Sequence, residues 1–310
     1  MFTIMQPIID KVDTALIKAE LTPDRLLRRS NKGNNEIYVV DAFNAPATMR
    51  EIGRLRELSF RNAGGGTGLE CDIDEFDTMD VPCRQMIVWN PEGDEIIGGY
   101  RFILGKDIRT EDGVPCIATS HLFRFSPEFI TGYLPHTIEL GRSFVVPVYQ
   151  NSQERPKQIY ALDNLWDGLG ALTVIYPQIK YLFGKVTMYP DFHRESREML
   201  LGFIHRHFPD PDSLVTPIVP LPSIAASPEI QNRYTGDYKE DMRILSQFVR
   251  AAGYRIPPLV NAYMSLSPTM RSFGTAVNRE FGDVEETGIL ISLDQVYEDK
   301  KARHISSFTR

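Results

Sequence analysis

Apolar and polar positions recur along the chain with two clear periods, and these periods predict its secondary structure. Alternating β-branched and aromatic residues indicate strands, whereas apolar residues three or four positions apart indicate helices. The predicted strands are 36–43, 84–89, 95–104, 136–147, 181–189, 256–266 and 287–293. The predicted helices are 8–19, 46–59, 156–176, 194–208 and 238–252. Because the early strands form hairpins and the later ones alternate with helices, we expect an α/β (α+β) fold with a mixed, largely antiparallel central sheet flanked by helices.

The same patterns divide the chain into two parts of unequal size. Residues 1–35 are predicted to form an amphipathic helix followed by a basic segment, and residues 36–310 a single domain. The helix can either cap the globular body, which we favour, or lie on an anionic bilayer. Six prolines between Pro209 and Pro228 predict an irregular loop at 209–228 that wraps the surface or covers a substrate.

Composition and charge exclude several classes of function. Apolar residues make up 42% of the chain and charged residues 24%, as is typical of soluble globular proteins. The net charge of −7 argues against a general nucleic-acid-binding protein. The 3 cysteines form no CxxC pair, so we predict neither a disulfide framework nor a metal site. Asp10, Lys11 and Asp13 interrupt the first apolar stretch, and no other stretch is long enough to span a membrane. We therefore expect a cytoplasmic protein, with peripheral contact at the inner membrane face as its closest approach to lipid.

One predicted strand carries two charges among residues that otherwise look buried. Glu139 and Arg142 lie three positions apart in the strand 136–147. That spacing places side chains on opposite faces of a regular strand, so the two residues are not expected to form a simple ion pair. An ionised group in a protein interior is unfavourable unless it is paired or serves a function. Either a buried structural ion pair or a functional site accounts for this pattern.

A glycine-rich segment, Phe60–Gly68, precedes an acidic run at 72–80. The segment lacks the Gly-Lys-Ser/Thr ending of a P-loop and follows a predicted helix instead of a strand. A mobile lid, or a close approach of the backbone to a small ligand, explains it better than phosphate binding.

Several short motifs follow one another in order along the chain. They are Phe60-Arg61, Asp74-Glu75-Phe76-Asp77, Gly99-Tyr100-Arg101-Phe102, Leu122-Phe123-Arg124-Phe125-Ser126, Glu139-Leu140-Gly141-Arg142-Ser143, Leu165-Trp166-Asp167-Gly168, Leu182-Phe183-Gly184-Lys185-Val186 and Pro257–Tyr263. In this order the motifs resemble the GNAT-like N-acyltransferase superfamily. The closest branch is that of the amino-acid N-acyltransferases of ornithine-lipid and glycine-lipid synthesis, which often carry a haemolysin label; acyl-homoserine lactone synthases are more distant. Gly141 and the 209–228 loop depart from the lactone-synthase pattern, which argues against lactone formation.

The resemblance implies transfer of a long-chain 3-hydroxy-fatty acyl group from acyl carrier protein, or from acyl-CoA as the alternative donor, to the amine of a small amino acid. Glycine is the favoured acceptor and ornithine the next. No bound cofactor is expected. The implied catalytic residues are Glu139 as the base, Asp77 as a second base or as the ammonium partner, and Arg142. The implied substrate-binding residues are Arg61, Arg101, Phe102, Phe144, Val145, Val146 and Trp166.

The donor side of the implied site differs from that of acetyltransferases. The segment 149–155 contains no glycine, so a nucleotide pyrophosphate would lose the close backbone approach that glycine permits. The single phosphate of a carrier protein needs less, and Arg155 and Lys157 are placed to meet it. Alternatively, Arg155 and Lys157 simply lie in an exposed N-terminal turn of the predicted helix and bind no phosphate. Two other functions remain open: an acetyl-CoA-dependent small-molecule N-acetyltransferase, and an inactive lipid- or carrier-binding protein of the same fold.

Overall fold

The structure is a computed structural model that describes residues 5–150 and 160–309. Within these residues the strands, in chain order, are β1 (Leu26–Arg29), β2 (Glu36–Val40), β3 (Arg84–Asn90), β4 (Glu95–Leu104), β5 (Thr110–Glu111), β6 (Val114–Pro115), β7 (Phe123–Phe125), β8 (Thr137–Val145), β9 (Tyr181–Met188), β10 (Val215–Pro217), β11 (Arg271–Asn278) and β12 (Val284–Ser292). The helices are α1 (Thr14–Glu20), α2 (Pro46–Asn62), α3 (Glu75–Thr78), α4 (Ala161–Ile175), α5 (Arg194–His207), α6 (Pro228–Gln231), α7 (Tyr238–Ala251), α8 (Pro258–Met264) and α9 (Glu298–Lys300).

These elements belong to two compact units. Unit 1 comprises the described parts of Met1–Ile108, His136–Ile179 and Glu298–Arg310, and unit 2 comprises Arg109–Pro135 and Lys180–Tyr297. The predicted fold class is confirmed, because this is an α/β protein with a large, mostly antiparallel sheet flanked by helices. The division into residues 1–35 and a single domain 36–310 stays a prediction.

Unit 1 is built on five strands that pair antiparallel in the order β1-β2-β3-β4-β8. Neighbouring residues of β3 point to opposite faces, and the two faces meet different helices. Met86 lies against Gly168 of α4, where a β-carbon would come within 2.3 Å of the Met86 sulfur. Gln85, on the other face, reaches Arg56 of α2. The sheet therefore lies between α4 on one side and α2 on the other.

Unit 2 has its own antiparallel strands in the order β9-β12-β11, with α5 and α8 packed nearby. The proline-rich segment forms β10, which pairs with β7, and then crosses to β11 through a bridge between Pro220 and Ala276. Glu198 of α5 accepts hydrogen bonds from Ser223 and from the backbone of Ile224. The segment 209–228 is therefore irregular, as predicted, but is held in place by backbone and side-chain bonds.

Two of the predicted elements are wrong. Residues 256–266 were expected to form a strand, but they contain helix α8, in which Pro258 occupies the first turn and Val260, Tyr263 and Met264 are buried at helical spacing. The first helix was expected from residue 8, but α1 begins at Thr14, where Asp13 caps it by accepting from the Ala15 amide. The predicted start of the 156–176 helix lies outside the described residues.

Candidate active site

Strands β4 and β8 place two of the predicted site residues, Arg101 and Glu139, on one face of the unit 1 sheet. Ile103 lies opposite Glu139, and Arg101 lies opposite Gly141. Opposed residues of an antiparallel pair share a face, and so do alternate residues of one strand. Arg101, Gly141 and Glu139 therefore share a face, and Gln85 of β3, which lies opposite Arg101, extends the row.

A β-bulge at Arg142 interrupts the pairing of these strands. The register shifts beyond Arg101, so that Gly99 lies opposite Phe144 and β8 has an extra residue. Arg142 is the extra residue, and it adopts a left-handed backbone conformation with a φ of 47°. Its guanidinium reaches two carboxylates, with Nε 2.9 Å from an Asp72 oxygen and Nη2 3.3 Å from an Asp74 oxygen.

The bulge overturns the expectation that Glu139 and Arg142 lie on opposite faces. Arg101 and Arg142 both bind the Asp74 carboxylate, the former with Nη1 2.6 Å from Oδ1. The Arg142 side chain therefore lies on the same face of the sheet as Arg101 and Glu139. The β4 side accommodates the bulge with glycine, since a β-carbon at Gly98 would come within 2.5 Å of the Phe144 carbonyl oxygen.

The carboxylates come from the acidic run and the short helix that follows it. Asp74 and Asp77 form a capping box at the start of α3, which fixes both side chains. Asp77 is fully buried and lies 3.0 Å from Nη1 of Arg56 and 3.4 Å from Nη1 of Arg101. Gln85 donates to its other oxygen at 2.9 Å. We call the joined side chains the charged cluster: Arg56, Asp72, Asp74, Asp77, Gln85, Arg101 and Arg142. The sequence predicted Asp77, Arg101 and Arg142 as site residues, but Arg56, Asp72, Asp74 and Gln85 were missed.

Burial and charge set the protonation of the cluster. Burial raises the pKa of Asp77, but Arg56 and Arg101, with hydrogen bonds from the Asp74 amide and Arg56, outweigh it and hold that pKa at about 2. At Asp72 burial prevails over the nearby arginines, so its pKa lies above the usual range. Burial lowers the pKa of Arg101, yet Asp77 and Asp74 keep it well above the ordinary value. Asp77 therefore stays ionised and is a very weak base near neutral pH.

Cys83, at the foot of β3, shares this charged environment. Burial raises the pKa of its thiol to about 12, with Arg101 opposing and Glu139, Asp77 and Asp74 reinforcing the shift. The thiol is therefore protonated near neutral pH, which makes it a poor nucleophile.

Three of the predicted substrate-binding residues, Phe144, Val145 and Val146, follow the bulge. Phe144 and Val146 are buried, whereas Val145 is half-buried. The Val146 amide donates to the Ile97 carbonyl at 2.9 Å, so that donor is already engaged.

Two predicted substrate-binding aromatic residues lie away from the charged cluster. Phe102 projects to the face opposite Arg101, where the Arg84 guanidinium lies 5.4 Å from its ring centroid. Trp166 is half-buried on α4, the helix that packs on that same opposite face. Arg155 and Lys157 lie outside the described residues.

The glycine-rich loop is pinned by two residues of α2. The buried Glu57 carboxylate accepts from the Thr67 amide at 3.0 Å, the Thr67 hydroxyl at 2.8 Å and the Gly68 amide at 2.8 Å. Arg61 donates to Glu57 at 2.7 Å, to the Gln6 carbonyl at 2.6 Å and to the Leu69 carbonyl. These bonds do not fit the expectation of a mobile lid. The assignment of Arg61 to substrate binding stays a prediction.

Two kinds of feature are absent from the described residues. Across residues 5–150 and 160–309, no group of three or more histidine, cysteine or acidic side chains is arranged to hold a metal ion. In the same part of the chain, no helix is long and apolar enough to cross a bilayer.

Comparisons with known proteins show a family and two relatives that this chain resembles. Residues 55–155, which include the C-terminal half of α2, the acidic run, β4 and β8, match the family described as Acetyltransferase (GNAT) domain. A protein of Bacteroides thetaiotaomicron named glycine N(alpha)-acyltransferase is 60% identical over 306 residues, which is 98% of this chain and 91% of the relative. A protein of Phocaeicola vulgatus with the same name is 55% identical over 308 residues, or 99% of this chain and 94% of the relative. No solved structure matches the chain significantly.

Proposed function

This chain belongs to the GNAT-like N-acyltransferase family and has amino-acid N-acyltransferase activity, and we propose that it transfers a long-chain 3-hydroxy-fatty acyl group from acyl carrier protein to the amine of glycine, in aminolipid synthesis. The observation that carries the choice of acceptor is the pair of relatives, both named glycine N(alpha)-acyltransferase and both aligned over nearly the whole chain. Ornithine is the next acceptor to test.

The reaction sets a clear requirement for a base. Glycine arrives as an ammonium ion and must lose a proton before its nitrogen attacks the thioester carbonyl. The nitrogen–carbon bond then forms, the carbon–sulfur bond breaks, and the carrier leaves as a thiol. The two carboxylates first considered for the base are Glu139 and Asp77. Because the pKa of Asp77 is about 2, we assign the proton to Glu139, and we assign Asp77 to holding Arg56 and Arg101 in place.

The remaining groups divide between the acceptor and the oxyanion. Arg101 and Arg142 are proposed to face the acceptor carboxylate and to position Glu139. Amide directions alternate along an antiparallel strand. Because the Val146 amide points to β4, we propose the Val145 amide, which points away from β4, as the donor to the tetrahedral oxyanion. Phe144 is a proposed contact of the acyl group, whereas Phe102 and Trp166 lie on the opposite face of the sheet and their contact with substrate stays a prediction.

The proposed donor rests on the segment before α4. The absence of glycine from 149–155 supports a carrier-bound pantetheine over a nucleotide. Arg155 and Lys157 are proposed to bind its phosphate, which would favour association with an acidic carrier protein. Peripheral contact with a membrane surface, where an aminolipid product would partition, is part of the same proposal.

A matched panel of donors and acceptors tests this function. Purified protein is incubated with 3-hydroxypalmitoyl-acyl carrier protein, 3-hydroxypalmitoyl-CoA or acetyl-CoA, each with glycine, ornithine or serine, and amide products are identified by mass spectrometry. We expect N-(3-hydroxypalmitoyl)glycine, formed fastest from the carrier protein. Faster product formation from the long-chain CoA would overturn the proposed donor, and ornithine as the preferred acceptor would overturn glycine.

One observation favours a second candidate. The description of the matching family names acetyltransferases, so product formed from acetyl-CoA alone would identify a small-molecule N-acetyltransferase. Absence of product with every donor would support an inactive carrier- or lipid-binding protein.

A further inference from the structure

The face that carries Arg101 and Glu139 contains an opening where residue 141 has no side chain. A β-carbon built on Gly141 would have one described heavy atom within 4 Å, namely Nε of Arg101 at 3.9 Å. Gly141 itself is half-buried and keeps contact with solvent. We call the space that this β-carbon would occupy the Gly141 hollow. It lies in unit 1, beside the charged cluster.

The atom that borders the Gly141 hollow is an unsatisfied donor. Arg101 is 2% exposed, and its Nη1 is engaged by Asp74 and Asp77. Its Nε, however, is buried and has no hydrogen-bond partner among residues 5–150 and 160–309. A buried donor that makes no hydrogen bond typically destabilises a protein by about 1–3 kcal/mol, and by more when the group is charged. An acceptor in the hollow would remove that penalty.

We propose that the Gly141 hollow is the subsite for the carboxylate of the acceptor amino acid, which accepts a hydrogen bond from Nε of Arg101. This inference rests on the proposed function and specifies how its acceptor is held. A carboxylate is the complementary ligand because the guanidinium carries a permanent charge, and charge-assisted hydrogen bonds are about twice as strong as neutral ones.

The distance to the base fits a small amino acid. Glu139 lies two residues before Gly141 on the same face, and residues at that spacing are about 7 Å apart. A glycine that is bound through its carboxylate at the hollow can direct its amine toward the Glu139 carboxylate, with one hydrogen bond at each end. Because a zwitterion has no net charge, it enters a buried charged cluster at a smaller desolvation cost than a free anion.

Gly141 thereby becomes a specificity-determining residue. A methyl group at this position meets nothing closer than 3.9 Å among the described residues, so alanine fits sterically. Gly141 also has no left-handed φ, and alanine in a strand interior is tolerated better than glycine. The variant Gly141→Ala should therefore fold normally while its methyl group occupies the space that the carboxylate needs.

Steady-state kinetics and calorimetry of Gly141→Ala test the proposal. We expect the KM for glycine to rise at least about 10-fold, equivalent to about 1.4 kcal/mol of lost binding, with the KM for the acyl donor unchanged. Turnover of methylamine, which has an amine but no carboxylate, should equal that of the wild type. Gly132→Ala is the matched control, since a β-carbon there has no described atom within 4 Å either, and it should leave every parameter unchanged.

The outcomes separate this inference from the proposed function. A glycine KM within twofold of the wild-type value, or equal losses with methylamine and glycine, would overturn the hollow as a carboxylate subsite while leaving glycine acylation intact. Wild-type protein that forms no acylglycine from any donor would instead overturn the proposed function. In that case calorimetric binding still decides the inference: glycine should bind wild type and Gly132→Ala at least about 10-fold more tightly than Gly141→Ala, and equal binding would refute it.

Discussion

Replacing Arg56 by methionine should destabilise the protein far more than removal of an exposed arginine. Arg56 has no solvent exposure, and its guanidinium binds Asp77 at 3.0 Å and the Gln85 side chain. Methionine nearly matches the volume of the aliphatic stem, so the main effect is the loss of a charge partner. Of the ion pairs that Asp77 makes within the described residues, only the longer one, at 3.4 Å to Arg101, would remain. Breaking a buried pair by removing one partner typically costs about 3–5 kcal/mol.

The assay is a urea titration followed by circular dichroism, applied to Arg56→Met, Asp77→Asn and the double variant. Because either single variant leaves a buried polar group without its partner, the double variant should cost less than the sum of the two, by about 0.5–3 kcal/mol. Arg243→Met is the matched control, since Arg243 pairs with Glu240 at an exposed site, where such pairs contribute about 0–1 kcal/mol. The reasoning is refuted if Arg56→Met costs no more than Arg243→Met, or if the two single effects are additive.

The remaining predictions concern acid stability, the glycine-rich loop and the C-terminal segment. The pKa of Asp77 is about 2 in the folded protein and about 3.9 in the unfolded chain, so its ionised form stabilises the protein above about pH 4, and this stabilisation is lost as the pH falls toward 2. The free energy of unfolding of Asp77→Asn should therefore fall less steeply than that of the wild type between pH 4 and pH 2. The same steepness in both proteins would contradict this prediction. Glu57→Gln replaces the carboxylate that accepts hydrogen bonds from two loop amides. Hydrogen exchange at the Gly68 amide should therefore accelerate at least about 10-fold, which corresponds to about 1.4 kcal/mol of local stability. An unchanged exchange rate would show that other contacts hold the loop. Gly170→Ala would place a β-carbon 2.1 Å from the His304 carbonyl oxygen. Relieving this clash should weaken the packing of the C-terminal segment on α4 by about 1–3 kcal/mol, so limited proteolysis should cut that segment faster. Resistance equal to that of the wild type would mean that the segment is held differently.

The fold class could be predicted because most elements carry a strong local period. Strands β3 and β4 form the predicted hairpin, and helix α5 begins at the predicted residue. The error at 256–266 arose because short apolar runs fit either a strand or a helix, and here the Pro257-Pro258 pair, which favours a helix start, decides between them.

The charged cluster was only partly predictable. Arg56 falls on the apolar stripe of α2, seven positions after the buried Met49 and four after the buried Ile52, so its burial was readable from helical spacing. The bulge at Arg142 could not be predicted in this way. Counting alternate residues assumes that every residue of a strand is paired, and one extra residue moves all following side chains to the other face. Glu139 and Arg142 were therefore assigned to the wrong faces relative to each other, and their roles in the reaction stay predictions.

The variant Glu139→Gln shows whether Glu139 takes the proton from the attacking amine. Glutamine preserves the length of the side chain and removes its basicity, so we expect kcat for glycine acylation to fall by about 100-fold or more with the thermal midpoint retained. Glu51→Gln is the matched control, since Glu51 is equally buried but engaged by Arg54 at 2.6 Å on α2, and it should turn over like the wild type. Near-wild-type kcat for Glu139→Gln would contradict the account.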